Sequence, residues 1–122
     1  MGKALAVLGC TIEITSGQQA VAMVVKTQPS QKVSVGGKGV YFGDMEVMLT
    51  GVTQGSLVCP EATLTIKGTA AKVLNADGDK AVQADDNATD KFTFTDSSSG
   101  ATTSLPISIQ ITDAGQTDVV AL

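Results

Sequence analysis

Apolar and polar residues alternate along much of this chain, and the period is two. Residues 11–15 place Ile12 and Ile14 on one face and Thr11, Glu13 and Thr15 on the other. Residues 45–49 repeat the pattern through Val47 and Leu49, residues 62–66 through Leu64 and Ile66, and residues 91–95 through Phe92 and Phe94. The longest run, 105–112, sets Ile107, Ile109 and Ile111 inward and Ser108 and Gln110 outward. A two-residue period sends alternate side chains to opposite faces of a strand. The short apolar run at 4–8 reads as a strand, and the run at 20–25 is too short to favour a helix and its Val pairs favour strand. No amphipathic helical stripe is visible. Between these segments lie turn signals: Ser16-Gly17-Gln18-Gln19, a loop at 27–30 holding Pro29, and Gly51 and Gly55 within 50–56, which reads as a connection between halves. Residues 85–90 read as an acidic loop and 96–104 as a polar one, and the tail 113–122 ends in an apolar run that can add a last strand. Short strands with turn signals every ~8–12 residues predict an all-β domain.

The chain also says nearly the same thing twice. Residues 32–44 read Lys-Val-Ser-Val-Gly-Gly-Lys-Gly-Val-Tyr-Phe-Gly-Asp, and residues 72–86 read Lys-Val-Leu-Asn-Ala-Asp-Gly-Asp-Lys-Ala-Val-Gln-Ala-Asp-Asp. Allowing an insertion of two residues in the second copy aligns Lys32, Val33, Gly36, Lys38, Val40 and Asp44 with Lys72, Val73, Gly78, Lys80, Val82 and Asp86. Each copy reads as strand, Gly-centred turn, strand and closing acid, with Gly36, Gly37 and Gly78 as the turn residues. Cys10 and Cys59 each precede an alternating strand. The repeat units run from about 8 to 50 and from about 57 to 90, and the β extension 91–122 has no counterpart. One hairpin cannot bury its apolar face alone. The expected fold is therefore a single domain, 1–122, of short strands and hairpins with a pseudo-twofold internal repeat.

Composition sharpens this reading. With three Phe, one Tyr and no Trp, the core must be built from β-branched and small side chains. Charged residues make up only 16% of the chain, against about 25% in ordinary soluble domains. Such a surface exposes strand edges to unwanted pairing unless closure or a partner covers them, which points to a component of an assembly. The net charge of −4 and the lack of a basic patch argue against a nucleic-acid partner. No apolar stretch approaches the ~18 residues that cross a bilayer. Residues 1–9 are too short for a signal peptide, so synthesis in the cytoplasm without an export signal is expected.

Candidate chemistry is thin. Cys10 and Cys59 are thiol candidates for a metal site or a disulfide, but two thiolates without His make a poor zinc site, and free Cys is commonly a small buried apolar residue. Asn75, Asp77, Asp79 and Asp86 have part of the spacing of a calcium loop. Gly78 stands two positions too early for one, and the same residues fit an Asp-Gly hairpin turn. Asp85, Asp86 and Asp90 could pair carboxylates, but glycosidase chemistry wants a cleft and stacking aromatics. Ser97, Ser98 and Ser99 have no His to serve as base. Gly36-Gly37-Lys38 lacks the spacing of a phosphate loop, and Tyr41 and Phe42 read as core and rim of the first hairpin. The expectation is no enzyme, no cofactor and no metal.

The start Met1-Gly2-Lys3-Ala4, the unit at 32–44, its degenerate copy at 72–86 and Gly-Ser-Leu-Val-Cys-Pro at 55–60 together resemble the PAAR-repeat and PAAR-like spike-tip proteins of contractile injection machines. The resemblance covers about two thirds of the chain. It implies a cone-like β fold with a C-terminal β extension, seated on the blunt end of a trimeric central-spike protein of a phage tail or type VI secretion apparatus. It also implies assembly into a particle delivered outside the cell or into a target, and the carriage of a secreted effector. Many members hold zinc with three His and one Cys. This chain has no His, so that site does not transfer, and the spike-binding residues stay unknown. The reading from a different class is a small β-sandwich module binding calcium or carbohydrate, or a phage decoration protein. A sandwich of that kind would gather the long loops 85–90 and 96–104 at one end.

Overall fold

The computed structural model describes residues 3–117 and 119–121. Met1 and Gly2, which open the resemblance, and Asp118 and Leu122 of the tail lie outside the described residues. Along the chain the strands are β1 (Lys3–Ala4), β2 (Thr11–Ile14), β3 (Ala22–Val25), β4 (Ser34–Val35), β5 (Lys38–Gly39) and β6 (Asp44–Gln54). They continue with β7 (Leu57–Lys67), β8 (Ala70–Leu74), β9 (Lys80–Ala81), β10 (Asn87–Asp96), β11 (Thr102–Asp113) and β12 (Val120–Ala121). No helix occurs among the described residues. The protein is a small all-β domain, as the alternation predicts.

Three expected loops are shorter than the sequence suggests. Residues 50–54 belong to β6, and only Gly55-Ser56 turn the chain into β7. The ladder passes Gly51 between the Thr50–Glu61 and Val52–Cys59 pairs. Gly51 has φ +59°, and a Cβ there would lie 2.6 Å from Val21 Cγ2. A Gly that reads as punctuation is thus a position where an outer segment crosses close to a strand. The acidic loop ends at Asp86, because β10 begins at Asn87, and the polar loop shrinks to 97–101.

Six strands form one antiparallel sheet in the order β2-β11-β10-β7-β6-β3, curled into a half-barrel. Its inner face carries the predicted stripes: Val47, Leu49, Ile107, Ile109, Ile111 and Phe94 are all fully buried. Fully burying a side chain of this size stabilises by roughly 1.5–3 kcal/mol, so this cluster is the main source of stability.

One end of the half-barrel is closed by three short segments that the sheet does not include. The Ala6 N–H donates to the Val82 carbonyl (2.8 Å), the Val82 N–H to the Tyr41 carbonyl (2.9 Å), and the Tyr41 N–H to the Ala6 carbonyl (3.1 Å). The ring is cyclic, and its flanks obey the same rule. Leu5 bridges Gln83, Val40 bridges Val7 and Ala81 bridges Phe42. Two residues further out, Leu8 N–H donates to Gly39, Gly43 N–H to Lys80 and Ala84 N–H to Ala4, at 2.9, 2.8 and 2.8 Å. Residues 4–8, 39–43 and 80–84 are therefore related by a pseudo-threefold axis, each pairing one half of itself with each neighbour.

Segments 39–43 and 80–84 take equivalent places, with two corrections to the sequence alignment. Tyr41 matches Val82, so the correspondence is one residue out of step with the Lys38–Lys80 pairing. Residues 4–8 supply a third member. The half-barrel follows the same rhythm, because each ring segment is followed by a pair of sheet strands: β2 and β3, then β6 and β7, then β10 and β11. The extension 91–122 thus has counterparts after all. They escape sequence alignment because the units share backbone pairing and alternation rather than side chains, and the strand pairs differ in length.

The ring divides the interior. Ala6, Tyr41 and Val82 point into the main core inside the half-barrel. Their neighbours Leu5, Val7, Val40 and Ala81 point the other way, into a second buried cluster with Phe42, Val35 and Val73 packed against it. Alternation along a strand makes both clusters from three short segments.

Candidate functional site

The second cluster is covered by three two-stranded ribbons: β4 with β5, β8 with β9, and β1 with β12. Two of them are hairpins, the second with its register shifted between Ala70 and Leu74. Gly36 and Gly37 turn the first with φ +60° and +82°, and nothing crowds either position. In the second, the Asn75 side-chain oxygen accepts the Asp77 and Asp79 N–H groups at 3.0 and 2.9 Å, and Gly78 takes φ +84°. That is an Asx-type turn, in which a side chain imitates the backbone. The third ribbon joins chain segments 116 residues apart and has no turn, pairing Lys3 with Ala121 and Ala4 with Val120. Gln116 staples it instead. Its Nε2 donates to the Leu5 and Val119 carbonyls at 2.9 and 2.7 Å, and its Oε1 accepts the Val119 N–H at 2.9 Å.

The outer surface of this end has two properties. One large apolar side chain stands out on each ribbon: Val33, Leu74 and Val119 are 39%, 51% and 41% exposed. Five of the eight Lys residues also lie on the ribbons or at their bases: Lys3, Lys32, Lys38, Lys72 and Lys80. Among these, Lys3 reaches the Asp85 carboxylate at 3.7 Å. Asp77 and Asp79 in the turn of the second ribbon offset part of this charge, so the end carries Lys in modest excess, with one exposed apolar residue on or beside each ribbon.

The other candidate residues fall elsewhere. Asp86 is not part of the turn at 75–79. It is buried, and its carboxylate accepts from the Thr69 hydroxyl and, at 2.9 Å, from the Gln83 N–H. The calcium-loop grouping therefore separates: Asn75 spends its oxygen on the turn, and Asp86 caps the bend after the third ring segment. Cys10 and Cys59 are both free thiols packed against the main core. Burial pushes the Cys10 thiol up to about 11, and the Cys59 Sγ donates to the Glu61 carbonyl at 3.4 Å. Asp90 lies on β10 and Asp85 on the preceding turn, and no group of three His, Cys, Asp or Glu able to hold a metal ion occurs among the described residues. Tyr41 is in the main core and Phe42 against the second cluster. Ser98 and Ser99 form the turn after β10. The Asp96 Oδ1 accepts both their N–H groups and the Ser98 hydroxyl, which holds the Asp96 carboxyl down at about 2. No helix of the described residues is long and apolar enough to cross a membrane.

Leu74, Val119 and Gln116 carry no signal of their own in the sequence, and Val33 appears there only as a repeat position aligned with Val73. The available trace was the Val-Val of 119–120 beside Val33 and Val73-Leu74, but the third ribbon draws its arms from distant segments and shows no local repeat. No protein-family model, curated protein or solved structure matches the chain.

Proposed function

We propose that this protein is a non-enzymatic tip that caps a threefold-symmetric β-helical spike of a contractile injection apparatus, docking through its ribbon end. One observation carries the reading: a single chain displays three equivalent ribbons around a cyclic hydrogen-bonded ring. Three like ribbons on one axis match the three equal contact sites that a trimeric partner offers. Exposed Val33, Leu74 and Val119 supply one apolar anchor per site, and the excess of Lys over Asp on the ribbons suits an acidic blunt end. Ribbon edges would continue the strands that a β-helix leaves unpaired. The loops at 85–86 and 97–101 stand at opposite ends of β10, which weighs against a sandwich with one binding rim.

The test is stoichiometry with a trimeric β-helical spike. Sedimentation should give one copy per trimer. The combined variant Val33→Asp, Leu74→Asp, Val119→Asp should lose at least a hundredfold in affinity, while Thr63→Asp on the sheet exterior should not. Three copies per trimer, or binding indifferent to the ribbon variants, would reject the proposal.

A further inference from the structure

A second surface lies along the side of the half-barrel, between β2 and β3. These strands are consecutive in the chain and close the two ends of the sheet order, yet they do not pair. In the other two units the strands following a ring segment pair directly, β6 with β7 and β10 with β11. Here the joining loop is pulled to opposite sides. At its start, Thr15 N–H donates to the Ser108 carbonyl at 2.8 Å and Ser16 Oγ accepts the Ser108 N–H at 2.9 Å, both on β11. At its end, Gln19 and Thr53 exchange both backbone hydrogen bonds at 3.0 and 2.7 Å, on β6. Gln18, only 7% exposed, spans between them, its Nε2 donating to Gln54 Oε1 at 2.9 Å and to the Pro106 carbonyl at 3.0 Å. The seam is thus propped open by specific contacts.

Among the described residues, both walls of the seam are unpaired strand edges. Since Thr15 bonds Ser108, residues 11, 13 and 15 face β11, and the N–H and C=O groups of Ile12 and Ile14 face the seam. Lys26 N–H donates to Glu46, so Val25 and Met23 turn theirs to the seam from the other side. The side chains of the same four residues pack against the main core but stay half-buried, whereas Ile107, Ile109 and Ile111 on neighbouring β11 are fully buried. Edge groups spaced two residues apart accept only an extended chain with the same repeat. The sheet is antiparallel throughout, so β2 and β3 run in opposite directions, and a guest would be antiparallel to one and parallel to the other. Glu13 is the one charged side chain lining the seam among the described residues, which favours a basic guest.

We propose that this seam binds one extended segment of a partner polypeptide, at least four residues long, with alternate apolar side chains and a flanking Lys or Arg. The guest completes the half-barrel wall by strand addition. It covers Ile12, Ile14, Met23 and Val25, and it leaves the ribbon end free.

The probe is the synthetic peptide Lys-Val-Thr-Val-Thr-Val-Lys, followed by amide hydrogen exchange on the whole protein. Millimolar peptide should slow exchange at Ile12, Ile14, Met23 and Val25 by at least about tenfold, with the ribbon amides unchanged. The same peptide carrying N-methyl groups on every internal amide should give no protection, since it keeps the side chains and loses its donors to both walls. Ile14→Pro removes a seam-facing N–H without touching the β2–β11 ladder, and should reduce protection at Ile12 while the far-ultraviolet spectrum is kept. Absence of protection with the unmodified peptide would overturn the proposal, as would equal protection by the methylated one. Protection of the four amides at high protein concentration without peptide would assign the seam to a second copy of this chain, and would overturn it too.

Discussion

Asp85 is the one non-glycine residue with positive φ, at +70°, among the described residues. The equivalent bend after the first ring segment uses Gly9, at +93°. In both, the residue that follows donates its N–H back to a residue just past the ring, Cys10 to Val7 and Asp86 to Gln83. Asp tolerates this conformation better than a β-branched residue does. Asp85→Val should therefore cost about 1–2 kcal/mol and Asp85→Gly less than ~0.5 kcal/mol, read from urea midpoints at constant slope. Cys10 gives a second residue-scale expectation. With its thiol pushed up to about 11, the reactive thiolate is scarce at neutral pH. Iodoacetamide should modify Cys10 at pH 8 on the order of a hundredfold more slowly than a free thiol in the unfolded chain. The folded state keeps the proton that the unfolded state loses, so this group contributes stability below pH 9 that declines as pH rises towards 11. A thermal midpoint indifferent to pH across 9–11 would contradict that. None of this was legible in the sequence, where Cys10 and Asp86 suggest ligands. Their equivalence as bend residues appears only once the ring is known.

At the scale of elements, the sequence was most informative where the period-two pattern was long. β11 and the second half of β7 follow the predicted stripes, because a half-buried strand writes its burial directly into alternation. It was least informative at glycines. Gly36 and Gly78 mark turns, but Gly51 lies inside β6 beneath Val21. Gly51→Ala should cost about 1–2 kcal/mol through positive φ plus the steric contact. Adding Val21→Ala should recover the steric part and leave the backbone part, a difference that a double-mutant cycle separates. Gln116 offers a cleaner element test. Gln116→Ala removes the staple of the turnless ribbon and should speed amide exchange at Leu5 and Val119 without altering the β6–β7 hairpin, at a cost of about 1–3 kcal/mol. The staple was invisible in advance because a lone Gln in a polar tail carries no pattern.

For the whole molecule, the doubled hairpin motif predicts a pseudo-twofold repeat, whereas the ring relates three units. Two units announced themselves through glycines and lysines. The other ribbon is assembled from both ends of the chain, so it carries no contiguous motif. This arrangement predicts that the chain can be reopened elsewhere. Lys3 and Ala121 are register partners, so a short linker between them makes the third ribbon a hairpin, and a new start at Gly37 leaves a turnless one in its place. Such a circular permutant should fold to the same β spectrum and melt within about 5 °C of the parent, a shift worth roughly 1 kcal/mol in a chain of this size. Failure to fold would mean that the three ribbons are not interchangeable. The proposed docking face predicts in turn that the permutant still caps the spike.

The turnless ribbon has a further consequence during biosynthesis. A nascent chain that has emerged as far as Gly115 already holds the strands of the half-barrel, yet the segment that flanks Leu5 has not been made. Truncated products would thus carry a stable body with a frayed rim and two anchors instead of three. On the proposed docking, a threefold partner would bind such products less tightly than the full ribbon set.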